Sequence, residues 1–171
     1  MIVVIGSANL DFVTQAPTIP RPGETVMGRN LAMFPGGKGA NQAVACAKAG
    51  GAETCFIGGL GDDAFAQTLH GALQAAGVRD HSIECPSTPT GAAFICVSDA
   101  GENAITVAPG ANHSLTPERA TTALRSLLAS GRCRYLLLQA EIPMATNVAV
   151  AQMAREAGIR VAFNAAPASH L

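Results

Sequence analysis

Residues 36–43 read Gly-Gly-Lys-Gly-Ala-Asn-Gln-Ala, three glycines and a lysine running straight into an alanine-rich helical pattern. Glycine lets a backbone approach a ligand closely and adopt positive φ. The first turn of the helix that follows offers N–H groups without partners inside the helix. Lys38 adds side-chain donors, and Asn41 adds both a donor and an acceptor. The pattern describes a polar cradle suited to a small, hydroxyl-rich or anionic ligand. A glycine-rich turn that only starts a core helix would read the same way, so the rest of the chain has to decide.

Three more polar residues fall near the ends of apolar runs. Asn9 and Asp11 follow Ile2-Val3-Val4-Ile5, and Glu141 follows Tyr135 to Gln139. A polyol is held by groups that pair with adjacent hydroxyls, each of which donates and accepts. Asp11 and Glu141 supply acceptors, Lys38 supplies donors, and Asn9 and Asn41 supply both. Such sites discriminate well, because an analogue lacking a hydroxyl leaves buried polar groups unpaired. The plainer readings are a strand-end turn for Asp11 and a solvated loop carboxylate ahead of Pro143 for Glu141.

These residues need a frame. Ile2 to Ile5, Thr54 to Ile57, Tyr135 to Gln139 and Ile159 to Phe163 read as buried strands. Helices are expected from Lys38 to Ala49, from an Asp62 cap to about Ala76, from Thr116-Pro117 onward, and from Pro143 to about Ala157. The alternation predicts a mostly parallel sheet with helices on both faces. Ligands of such sheets bind beyond the carboxyl ends of the strands. Two strand-rich excursions, about 10–35 and 82–108, interrupt the alternation. Within them, Asp11 to Gln15, Thr25 to Phe34, Ser82 to Cys85, Ala92 to Val97 and Asn103 to Val107 read as strands. They are expected to pair as a small separate sheet, a lid over the polar groups.

Composition narrows the function. The 171 residues are 49% apolar and 13% charged with a formal net charge of −1, so nothing advertises nucleic acid or an acidic membrane surface. No run approaches the ~20 apolar residues of a membrane helix, and no signal-peptide pattern opens the chain. Cys46, Cys55, Cys85, Cys96 and Cys133 are scattered singly, which signals neither a disulfide framework nor a zinc site and fits reduced thiols in a cytoplasm. His70, His81, His113 and His170 lie too far apart to suggest a metal site. Two nucleotide motifs are also set aside. Gly59-Leu60-Gly61-Asp62-Asp63-Ala64 matches a dinucleotide fingerprint, but its two aspartates stand where a pyrophosphate would sit. Gly36-Gly37-Lys38-Gly39 lacks the spacer of a Walker A loop and the Ser or Thr after its lysine.

Taken together, the motifs resemble the ribokinase branch of the PfkB carbohydrate kinases. The matching pieces are Gly6-Ser7-Ala8-Asn9-Leu10-Asp11, Pro22-Gly23-Glu24-Thr25-Val26, Gly36 to Ala43, Gly61-Asp62-Asp63, Thr90-Gly91-Ala92-Ala93, Gly101-Glu102-Asn103, Pro109-Gly110-Ala111-Asn112, Gln139-Ala140-Glu141 and Asn164 to Ala168, in order along the whole chain. The resemblance implies a three-layer α/β ribokinase-like fold with a mostly parallel central sheet and a small β lid. It implies ATP-dependent phosphorylation of a sugar primary hydroxyl, D-ribose first, with fructose, a nucleoside or another small sugar as alternatives. Asn9, Asp11, Gly36, Gly37, Lys38, Asn41 and Glu141 would hold the sugar, and Ala93, Ile95 and Val107 on the lid would pack against it. The complete enzyme would use ATP, Mg2+ and a monovalent cation such as K+, act in the cytoplasm and form a homodimer through the lid.

The chain departs from that family in length. Family members are nearly twice as long, and the Gly-Ala-Gly-Asp signature that supplies the catalytic base and anion hole does not occur in residues 1–171. Nor do the Asn-x-x-Glu segment near the magnesium site, the adenine pocket or the cation loop. The expectation is therefore a partial domain, truncated, with its carboxy-terminal half missing. It would supply the sugar-binding half without a catalytic residue, would bind no cofactor alone and would be inactive alone. A non-catalytic sugar-binding remnant is the alternative.

Overall fold

The run Ile2–Ile5 forms β1, the middle strand of a parallel sheet, and its side chains alternate between two cores. Val3 and Ile5 pack on one side with Leu124, Leu136, Leu138 and Val150, while Val4 packs on the other with Ala43, Phe56, Leu69 and Leu73. A sheet buried on both faces needs this continuous apolar run rather than an apolar–polar alternation. A computed structural model describes residues 1–168. His170 lies outside them.

In chain order the elements are β1 (Ile2–Ile5), β2 (Asn9–Ala16), β3 (Ala32–Gly36), α1 (Lys38–Gly50), β4 (Thr54–Ile57), β5 (Gly59–Leu60), α2 (Ala64–Ala75), β6 (Arg79–Asp80), β7 (Ile83–Glu84), β8 (Gly91–Ser98) and β9 (Asn103–Ala108). A 3-10 turn (Gly110–Ser114) leads to α3 (Pro117–Leu128), β10 (Tyr135–Gln139), α4 (Met144–Glu156) and β11 (Arg160–Asn164). The central sheet runs β11-β10-β1-β4-β6, with every pair parallel. Helices α1 and α2 cover one face and α3 and α4 the other, giving three layers. No helix among the described residues is long and apolar enough to cross a membrane. All five cysteines are free.

A second sheet runs β3-β2-β8-β9. Its inner pair, β2 and β8, is parallel in register from Asn9↔Gly91 to Ala16↔Ser98, and the outer pairs are antiparallel. The excursions therefore do not make a simple meander, because the chain passes through the central sheet between β2 and β8. On one face, Phe12 stacks on Phe94 and meets Phe65 of α2 edge-on, both at 5.4 Å between ring centroids, which ties this sheet to the helical layer.

Three local expectations are corrected, and one short strand went unread. The strand expected over Thr25 to Phe34 is only Ala32–Gly36, because the Asn30 side chain takes the Gln15 N–H and Arg29 N–H takes the Gln15 carbonyl, so the ladder does not continue. The segment Ser82 to Cys85 does not join the second sheet. Its core, β7, pairs with β5 through bonds such as Ile83 N–H to the Gly58 carbonyl and Cys85 N–H to the Leu60 carbonyl. The short edge strand β6 was too brief to show a period. Finally, α2 is capped by Asp63 rather than Asp62, since Asp63 is the residue whose carboxylate accepts the Ala66 N–H at 2.9 Å.

Candidate functional site

The carboxyl ends of β1 and β10, the start of β2 and the start of α1 meet at one place. Gly37, with φ of 88°, turns β3 into α1. A Cβ at Gly37 would stand 2.7 Å from Ala8 Cα and 2.8 Å from Asn9 N, so only glycine lets these two chain segments pass. Gly39 is pressed against Gly6 and Ser7 in the same way, with 2.7 Å between its virtual Cβ and Gly6 C. The glycines thus serve first to bring backbone against backbone.

This packing brings Glu141 to the start of α1. Its Oε2 accepts from Ser7 Oγ at 2.6 Å and from Lys38 N–H at 3.0 Å, while Oε1 lies 3.6 Å from Lys38 Nζ. Gly39 N–H points at Ser7 Oγ at 3.4 Å, and Ala40 N–H bonds the Ser7 carbonyl at 2.9 Å. A carboxylate is well placed at the positive end of a helix. The polar cradle expected from the glycine run is therefore occupied in part by the protein's own carboxylate. Its N–H groups are spent on Glu141 and Ser7, so the loop is not an empty phosphate nest. Glu141 is also not a solvated loop carboxylate, since its side chain is 18% exposed.

Asp11 stands on β2 next to this group. A Cβ at Gly36, its near neighbour on β3, would overlap the Asp11 carboxylate. Burial, and then the nearby charge of Glu141, push the Asp11 carboxyl above its ordinary value. In the second sheet, Asp11 is in register with Ala93, which is in register with Val107, and Ile95 lies two residues on. Partners in register share a face, as do residues two apart. Ala93, Ile95 and Val107 thus stand on the same face as Asp11 and Asn9. Asn9 is buried and accepts a hydrogen bond from Asn112 Nδ2 at 2.7 Å. Asn41 is exposed one turn into α1 and borders a pocket of about 240 Å³ between α1 and α2.

Two residues escaped the site reading: Ser7, which holds Glu141, and Asn112, which holds Asn9. Both lie in motifs that the sequence displays, but a lone Ser and a lone Asn carry no spacing signal for a partner more than a hundred residues away. The rejected fingerprint at Gly59 to Ala64 also finds its use. Burial works to raise the Asp63 pKa, but hydrogen bonds from Thr90, Ala66 and Phe65 outweigh it and hold the carboxyl below its usual value, so Asp63 ties α2 to the entrance of β8. Among the described residues no three of His, Cys, Asp and Glu cluster to hold a metal ion.

Comparison with known proteins decides the family. The profile described as "pfkB family carbohydrate kinase" matches residues 1–170. The chain belongs to the pfkB family of carbohydrate kinases. Within this family it is 38% identical to the ribokinase of Lactococcus lactis over 98% of the chain and 54% of that protein. The ribokinase of Thermotoga maritima superposes with a TM-score of 0.85 at 36% identity, covering 100% of this chain and 54% of that one. The ribokinase of Arabidopsis thaliana, solved with ribose and ATP, superposes with a TM-score of 0.77 at 32% identity over 95% of this chain and 52% of that one. The chain spans about half the length of the curated pfkB relatives it matches. The α/β ribokinase-like fold and its mostly parallel central sheet are shared with them.

Proposed function

We propose that these residues form the sugar-binding half of an ATP-dependent sugar kinase, with D-ribose as the substrate phosphorylated on its primary hydroxyl. One observation carries the choice between a polyol and an anion: Glu141 occupies the start of α1, within 3.6 Å of the Lys38 ammonium. Asp11 and Glu141 are two carboxylates close enough to feel each other's charge, and the Lys38 ammonium pairs with Glu141. Their excess negative charge repels a sugar phosphate and favours a neutral sugar, whose hydroxyls donate to the carboxylates and accept from Lys38 and Asn9.

In this reading Asn9, Asp11, Gly36, Gly37, Lys38, Asn41 and Glu141 bind and orient the sugar. Ala93, Ile95 and Val107 of the second sheet close over it as a lid and exclude water, which limits wasteful hydrolysis of the phosphoryl donor. ATP supplies the phosphoryl group, with Mg2+ and a monovalent cation such as K+ at its phosphates. In this reading the part that these residues play in the reaction is positioning the sugar. The similarity of the whole chain to ribokinases supports ribose over fructose or a nucleoside. A homodimer through the lid is part of the same proposal, as is a cytoplasmic setting.

The test is a calorimetric titration of the chain with D-ribose and with ribose 5-phosphate. Ribose is expected to bind, and the phosphate is expected not to. Preferential binding of the phosphate would overturn the charge argument and the substrate with it.

A further inference from the structure

We propose that Asn112 is a positioning residue that fixes Asn9 as a hydrogen-bond donor toward the ligand; the role rests on the sugar-site reading above. Asn112 is 1% exposed and comes from the 3-10 turn Gly110–Ser114, far along the chain from Asn9. Its amide clasps both backbone groups of Ala8. Ala8 N–H donates to Asn112 Oδ1 at 2.9 Å, and Asn112 Nδ2 donates to the Ala8 carbonyl at 3.2 Å.

That clasp sets a polarity. A backbone N–H can meet only an acceptor, and a backbone carbonyl only a donor. The two groups of Ala8 therefore dictate which end of the Asn112 amide is oxygen and which is nitrogen. Nδ2 has a second hydrogen, and it goes to Asn9 Oδ1 at 2.7 Å. A donor needs an acceptor, so the Asn9 amide is fixed in turn. The oxygen of Asn9 is thereby turned toward Asn112, inside the protein. The end of the amide that points away from Asn112 is Nδ2, a group that can only donate.

The backbone makes room for this relay. Gly91 stands in register with Asn9, and a Cβ there would overlap both Asn112 Nδ2 and Asn9 Oδ1. Asn9 itself is 4% exposed, so turning its amide over would strand buried polar groups. The consequence is directional. A hydroxyl that meets Asn9 Nδ2 must accept. The site then reads hydroxyl orientation as well as hydroxyl position.

The experiment uses D-ribose and its monodeoxyfluoro analogues, since fluorine accepts weakly and cannot donate. The wild-type chain is expected to tolerate fluorine best at the one position that faces Asn9. In Asn112→Asp the new carboxylate cannot donate, so the Asn9 amide turns to donate to it and presents its oxygen to the ligand. Fluorine at that position should then cost about tenfold in affinity, the scale of one unsatisfied buried group. In an Asn9→Ala background the same change should alter no preference. A uniform loss across all analogues, or a shift that persists without the Asn9 side chain, would overturn the positioning role. A measurement on unsubstituted protein guards against a variant that does not fold. In isotope-labelled wild type, a through-hydrogen-bond coupling is expected between the Asn112 side-chain nitrogen and the Asn9 side-chain carbonyl carbon, and its absence in the folded chain would overturn the relay. If that coupling is present and no sugar binds, the sugar-site reading falls, and the functional role of the relay falls with it.

Discussion

Ser7 Oγ lies 2.6 Å from Glu141 Oε2, joining residues 134 apart in sequence. Ser7 is fully buried, directly after β1, and Glu141 follows β10, so this bond locks the carboxyl ends of two neighbouring strands together. It also turns the carboxylate so that its other oxygen faces Lys38. Ser7→Ala removes a hydrogen bond to a charged group and leaves Oε2 with the Lys38 N–H. A loss of about 1.5–2 kcal/mol in stability is expected, the lower part of the range for bonds to charges because Glu141 is not fully buried. Urea denaturation measures it. An unchanged midpoint at unchanged slope would show that the serine is not holding the carboxylate.

Asp11→Asn should move stability and binding in opposite directions. Burial first, and Glu141 second, hold the Asp11 carboxyl above the ordinary 3.8. The ionised form is thus less comfortable in the folded chain than in the unfolded one. That penalty is fully present at any pH above the raised folded value, and it fades as pH falls through that value toward 3.8. At neutral pH the asparagine variant should melt higher than wild type, and the gap should close on acidification. Sugar affinity should drop by about 1–3 kcal/mol, since a carboxylate acceptor facing hydroxyl donors is replaced by an amide. Melting curves across the acid range and a ribose titration test the two halves separately. A variant that melts lower at neutral pH would remove the desolvation argument.

The layered frame was readable because β1, β4 and β10 are short apolar runs closed by a polar or glycine signal, and each helix has a cap or a stop. Thr116-Pro117 at α3 shows how local such signals are, with Thr116 accepting the Arg119 N–H at 3.3 Å. What escaped was set by distant partners. Nothing local tells that Asn30 will take the Gln15 N–H and end a strand, or that Ile83 will find Gly59 rather than the second sheet. The glycine loop was legible as a place of close approach, but what approaches it, Glu141, comes from a hundred residues away. That single fact changes the loop from an open polar cradle into a seat for the protein's own carboxylate.

The face of the second sheet that carries Asp11 also carries Phe34, Ile105 and Val107, which are 53%, 54% and 46% exposed. Apolar side chains this open on a sheet face favour a covering partner. In the homodimer proposed above, Ile105→Arg should place a charge in the contact and shift the chain toward monomer in sedimentation equilibrium. The Asp11–Glu141 region should stay folded, because Ile105 projects from β9, at the sheet edge. Equal self-association of wild type and variant would argue that this face is not the contact.

The chain comprising residues 1–171 is expected to bind ribose without turning over ATP. Phosphoryl transfer rests on positioning and on charge stabilisation at the phosphates. The helix-start N–H groups that could have stabilised such charge are already bonded to Glu141 and Ser7. In the proposed site Asp11 and Glu141 accept from sugar hydroxyls, and Lys38 pairs with Glu141 at 3.6 Å. With Asp11 and Glu141 proposed to bind the sugar rather than to take the proton of the acceptor hydroxyl, a further factor of about 10²–10⁴ in rate is expected to be missing. Ribose should therefore appear in a calorimetric titration of the purified chain, while coupled ADP release stays at the level of a ribose-free control. Ribose-dependent ATP turnover that co-purifies with the chain and is abolished by Glu141→Gln would show that these residues contain a working phosphoryl-transfer site, and the assignment of Asp11 and Glu141 to binding alone would fall.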